Sequence, residues 1–148
     1  MYNKLEAVSD QSIYLLNPVK NRILKNGYFI KLLHSTENLN MNGIYMEINI
    51  NDPRIENSYN KHKCLFSVDK NTILIEKCKE IENMILKKYK CSKIKKNNIY
   101  NQLSNGVILL SYYYPIHKNT YLLKISGIWE TELEYGLSFK FININRRL

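Results

Sequence analysis

Tyr121-Leu122-Leu123-Lys124-Ile125-Ser126-Gly127-Ile128 and, after a short turn, Tyr135-Gly136-Leu137-Ser138-Phe139-Lys140-Phe141-Ile142 decide the fold class. In both segments large apolar side chains alternate with smaller or charged ones, and a period of two marks a strand that buries one face. Tyr121, Leu123 and Ile125 share one face of the first strand, and Leu137, Phe139 and Phe141 share one face of the second. These are core positions. The opposite faces carry Leu122, Lys124 and Ser126 on one strand and Gly136, Ser138 and Lys140 on the other. The pattern predicts two neighbouring strands whose wet surface holds two cationic stripes side by side.

Working outward, residues 107–114 form a third strand candidate, with turns at Pro115-Ile116-His117-Lys118-Asn119 and Glu130-Thr131-Glu132, so the end of the chain reads as a β-meander. Before it, a polar, lysine-bearing connection closes on the turn signal Ser104-Asn105-Gly106. Asn71 or Thr72 starts a helix that runs to about Lys90, with Leu74, Cys78, Ile81, Met84 and Ile85 at helical spacing. Glu76, Glu80 and Glu82 stand early in it and Lys87, Lys88 and Lys90 late, an order that complements the helix dipole.

The first half of the chain is read as strands. Residues 12–16 and 19–24 are short candidates, and Lys25-Asn26-Gly27 is a tight-turn signal leading into a strand at 28–35. Ile44, Met46, Ile48 and Ile50 alternate along a half-buried strand. Residues 51–61, rich in Asn and charge, read as an exposed loop before a strand at 63–68. Strands, one helix, then more strands predict a mainly β, α+β domain. Its shape is an OB-like small β-barrel or a curled antiparallel sheet, with one amphipathic helix between the strand groups. At 148 residues, with no linker, 1–148 is a single domain.

Lys and Arg number 22 against 13 acidic residues, a formal charge of +9 that favours polyanionic partners. Heavy use of Lys, Asn and Ile is also what an A/T-rich coding sequence produces, so charge alone does not choose a function. Cys64, Cys78 and Cys91 are odd in number and far apart, which fits neither a disulfide framework nor a zinc site and suggests an intracellular setting, nucleus or cytoplasm. Cys64 and Cys78 read as core. Met1-Tyr2-Asn3-Lys4-Leu5-Glu6 lacks the apolar run of a signal peptide, and no stretch approaches the ~18 apolar residues of a membrane span.

The sequence carries no P-loop, no G-x-G-x-x-G, no G-x-S-x-G and no H-E-x-x-H, so neither catalytic nor metal-ligating residues nor a cofactor are assigned and an enzyme is not expected. His34, His62 and His117 are widely separated. Asp52, Glu56 and Asp69 flank one strand, but their spacing matches no metal-dependent nuclease motif.

A wet β-surface with lysine beside serine and aromatic rings is the composition that single-strand binders use, cations following phosphates while rings stack on bases. The expected contact residues are Lys124, Lys140, Ser126 and Ser138, the rings of Tyr45, Tyr112, Tyr114 and Trp129, and Lys31. The basic cluster Lys87, Lys88, Lys90, Lys93, Lys95 and Lys96 is either a further phosphate contact or a solvated helix end. The alternative is a protein-interaction or structural subunit, or a homo-oligomer, whose aromatics meet protein.

The run from Leu122 to Thr131 followed by Glu134 to Ile142 resembles the terminal strands of small OB-like single-stranded DNA-binding proteins of large DNA viruses and related mobile elements. The resemblance covers the end of the chain and no defined motif residue by residue. It implies a non-enzymatic replication or recombination accessory that coats exposed single strands.

Overall fold

The computed structural model describes residues 3–21, 26–59, 61–111 and 120–143. Among these the chain runs β1 (Asn3–Lys4), β2 (Ile13–Leu15), β3 (Val19–Asn21), β4 (Gly27–Thr36), β5 (Leu39–Asn42), β6 (Ile44–Asn49), β7 (Arg54–Ser58) and β8 (Lys61–Leu65). Helix α1 (Thr72–Lys87), β9 (Ile94–Lys96), helix α2 (Asn98–Ser104), β10 (Val107–Leu110), β11 (Thr120–Glu130) and β12 (Glu134–Asn143) follow.

The strands join in one 12-stranded mixed sheet whose main path is β1-β6-β11-β12-β10-β8-β7. That path has two different ends, so the sheet is not closed into a barrel. No helix among the described residues is long and apolar enough to cross a membrane.

The centre is the β11–β12 pair, antiparallel from Tyr121 opposite Asn143 to Glu130 opposite Tyr135. On its other edge β11 changes partner: residues 120–125 pair with β6 and residues 127–130 with β4. The change falls at a β-bulge between Ile125 and Gly127, with Ser126 as the extra residue. A bulge bends its strand, and here the bend lets one strand serve two neighbours. Gly127 makes the switch possible, because a Cβ there would collide with the Ile30 carbonyl of β4.

The alternation in the sequence sorts most positions as expected, but Leu122, expected on the wet face, is buried, and Phe139, expected in the core, is half-buried. Tyr121, Leu123, Ile125, Leu137 and Phe141 are buried with Ile44, Met46, Ile48 and Ile50. Ile75, Cys78, Ile81, Ile85 and Leu86 of α1 join them, as do Ile99 and Leu103 of α2. Leu74 and Met84, expected on the buried face of α1, are half-buried at its margin. Cys64 and Cys78 lie in the core, where burial, with Glu82 adding to it, pushes the Cys78 thiol up to about 12.

Several expectations are corrected. Residues 51–61 are not all loop, since β7 pairs antiparallel with β8 from Arg54 opposite Leu65 to Ser58 opposite Lys61. The polar connection after α1 holds both β9 and a second helix, α2. The last three strands are not a meander: β11 and β12 form a hairpin, but β10 lies on the far edge of β12, parallel to it at Leu110 opposite Phe141. Asn71, expected to cap α1, makes no side-chain cap bond. Its amide instead takes the Asn51 N–H at 2.7 Å and donates to the Ser67 and Asn51 carbonyls, tying the helix start to the end of β6.

Helix α2 is capped from outside its own segment. Glu82 of α1 is fully buried, and its carboxylate accepts the N–H groups of Ile99 at 2.9 Å and Tyr100 at 3.0 Å. These are donors that a helix start leaves without internal partners, and a carboxylate there also meets the positive end of the helix dipole. Burial pushes the pKa of Glu82 up, outweighing those two hydrogen bonds.

Candidate functional site

The outer face of the central strands gathers the predicted wet residues into rows. Lys140 of β12 lies directly opposite Lys124 of β11, and Lys124 lies opposite Tyr45 of β6. The Lys124 ammonium sits 5.3 Å from the centroid of the Tyr45 ring, within cation–π range. The adjacent row is Ser138, Gly127 and Lys31, and the next is Gly136, Trp129 and Phe29. Lys31, Tyr45, Lys124, Trp129, Ser138 and Lys140 therefore share one continuous face, with Ser126 at the bulge between the rows. Tyr112 and Tyr114 lie outside the described residues.

Trp129 is held in a fixed pose. Its indole Nε1 donates to the Leu137 carbonyl at 3.1 Å. The ring lies against Gly136, where an added Cβ would stand 2.8 Å from Trp129 Cζ2 and 2.9 Å from the Lys96 carbonyl. Only glycine allows this approach, so the ring is positioned by the strand beneath it.

A groove opens beside the face. β9 pairs with the start of β12 at residues 134–136, and β10 meets it again at Phe141. Between them the chain leaves the sheet as α2. Among the described residues no strand runs beside residues 137–140 of β12 on that edge. The resulting groove, of about 610 Å³, has Asn98, Asn101, Gln102 and Asn105 on the α2 side and Trp129, Ser138 and Lys140 on the other. The four amides stand at i, i+3, i+4 and i+7, opposite the buried Ile99 and Leu103. That spacing was available in the sequence, but the segment reads as polar connection unless the helix is known.

The lysines of 87–96 do not make one open patch. Lys88 pairs with Asp10 at 2.9 Å, Lys93 with Glu130 at 3.0 Å and Lys96 with Glu134 at 3.6 Å. Lys95 donates to Asn83 Oδ1 at 3.3 Å, while Lys87 and Lys90 are exposed. Glu130 is the hub: it is buried and accepts from Tyr89 Oη at 2.6 Å, and Lys93 also bonds the Thr131 carbonyl at 2.7 Å. Burial alone would raise the Glu130 pKa, but hydrogen bonds from Tyr89 and Lys93, with the Lys93 charge, hold it below the ordinary carboxylate value. Burial and the same bond push the Tyr89 phenol up. These groups fasten the end of α1 and β9 to the β11–β12 turn.

Among the described residues no three His, Cys, Asp or Glu side chains converge as they would around a metal ion. Asp52 is paired with Lys70 at 2.9 Å, and Glu56 stands opposite Lys63. No protein-family model matches the chain, and neither does a curated protein or a solved structure.

Proposed function

We propose that the protein binds single-stranded nucleic acid, DNA in the first instance, on the outer face of β6, β11 and β12, as a non-enzymatic accessory. The observation that carries this reading is the row Lys140, Lys124, Tyr45. Two like charges directly opposite on neighbouring strands repel and cost stability. A phosphate lying between them would turn that cost into affinity. A ring at the end of the row and the fixed indole of Trp129 two rows away supply the stacking surfaces that single-strand binders use. We read the curled antiparallel core of β4, β6, β11 and β12 as the OB-like part of the molecule, presenting its outer face to the strand.

A second reading, a protein-interaction subunit, draws on one feature. Ile94 and Leu133 are 60% and 70% exposed and joined through the Ile94 N–H and the Leu133 carbonyl at 3.0 Å. That apolar pair lies at the β9 end of the molecule, away from the lysine row.

The deciding experiment titrates the protein against a labelled single strand and its duplex at two salt concentrations, beside the variant Lys124→Glu/Lys140→Glu. Salt-sensitive preference for the single strand is expected. Each lost phosphate contact removes about 0.7 from the slope of log affinity against log salt, so the double variant should lower the slope by roughly 1.4. Binding of neither strand, or affinity unchanged by salt, would refute the reading and move attention to the Ile94 and Leu133 surface.

A further inference from the structure

We infer that the groove between α2 and β12 reads the edge of a nucleobase in the bound strand, adenine foremost, with Trp129 as its stacking wall; this rests on the single-strand reading above. The α2 wall is made of neutral amides, Asn98, Asn101, Gln102 and Asn105. Each amide presents a donor and an acceptor side by side, the pattern that matches the N6 and N7 edge of adenine. Gln102 Oε1 already accepts the Leu109 N–H at 3.4 Å, which fixes that side chain and leaves its NH₂ group to donate. Asn98, Asn101 and Gln102 of α2, with Asn105 just past its end, stand opposite the fully buried Ile99 and Leu103 and give the groove wall hydrogen-bonding capacity and no charge.

The volume and the second wall fit the same occupant. A groove of about 610 Å³ lies within the range of roughly 300–1,000 Å³ for small-ligand sites. It accepts a flat base more readily than a charged phosphate, because among the described residues the one lysine that lines it, Lys140, stands on the β12 side. Lys140 also begins the row that continues to Lys124 and Tyr45. A strand whose phosphates follow that row brings a base to the groove at the Lys140 end, where the pinned indole supplies an aromatic wall.

Trp129 is the single tryptophan of the chain, so intrinsic fluorescence reports on this wall alone. The experiment titrates the four homopolymer DNA strands against the wild type and Asn98→Ala/Asn101→Ala, following both strand anisotropy and Trp129 emission. Alanine is the best helix former, so the double variant keeps α2, and a thermal melt checks this. Quenching of Trp129 is expected, with the adenine strand bound about tenfold more tightly than the weakest, a lead that the variant loses while its salt slope stays unchanged. Equal affinity of the wild type for all four strands, or a lead that survives in the variant, overturns base reading while strand binding stands. No binding of any strand at low salt removes the single-strand reading and base reading with it.

Discussion

Two lysine-rich regions of this molecule look alike in sequence and differ in what surrounds them. In residues 87–96 the ammonium groups of Lys88, Lys93 and Lys96 each meet a carboxylate brought from another part of the chain. On β11 and β12, Lys124 meets another lysine across the strand and an aromatic ring on its other side. In the first, each charge is met by an opposite one within the chain; in the second, two like charges face each other across the strands, and an anion between them would relieve that repulsion. Positive charge in a sequence thus has two uses, and the partners, not the count, tell them apart.

The largest expected effect tests the closed region. Glu130→Ala removes the acceptor shared by Tyr89 and Lys93 and leaves the half-buried Lys93 without its counter-charge. Breaking a buried pair from one side costs about 3 kcal/mol, to be read as a fall in the denaturant midpoint. Strand affinity of the folded fraction should not change. A variant that keeps its stability and loses nucleic-acid binding would erase the distinction between the regions.

Acid sharpens the same contrast through two buried carboxylates with opposite shifts. Glu130 is held below the ordinary value of 4.5, so its contribution to stability is present above that value and lost as pH falls through its folded pKa. Glu82 is pushed above 4.5, so its contribution is present below that value and lost as pH rises through its folded pKa. Thermal melts from about pH 3 to pH 7 should show the acid-side loss reduced in Glu130→Gln and the loss on rising pH reduced in Glu82→Gln. Each variant is also less stable overall, so the shape of the curve, not its height, is the readout.

Much of the fold was legible because it rests on local patterns. The alternation in Ile44 to Ile50, Tyr121 to Ile125 and Leu137 to Phe141 names most of the buried positions, missing the burial of Leu122 and the partial exposure of Phe139, and Cys78, Ile81 and Ile85 name the buried face of α1. What was not legible depends on residues distant in sequence. The α2 segment, Asn98 to Ser104, is poor in strong helix formers, and its start is capped by Glu82 from another helix. β7 is a polar strand at the end of the sheet, with Arg54, Glu56 and Asn57 exposed, so it lacks the apolar alternation that would announce it. The placement of β10 beside β12 depends on a long-range parallel pairing, and the groove exists only because of it. The lysine row could be anticipated from strand parity, whereas the carboxylates that neutralise Lys88, Lys93 and Lys96 could not, since none is a sequence neighbour.

The smallest effect is the most discriminating, because its sign differs between the two regions. Replacing Lys140→Glu puts an opposite charge across from Lys124 in place of a like one, and cross-strand pairs of this kind are worth roughly 0.2–1 kcal/mol. The variant should therefore melt slightly higher than the neutral replacement Lys140→Gln at low salt, with the gain shrinking as salt screens the new attraction. Its affinity for a single strand should fall. The matching change in the closed region, Lys93→Glu, sets two carboxylates together at Glu130 and must lower stability. A residue whose reversal stabilises relative to its neutral replacement and weakens binding is there for its partner. If Lys140→Glu instead lowers both, the lysine row belongs with the structural ion pairs of 87–96, and the outer face loses its claim to be the site.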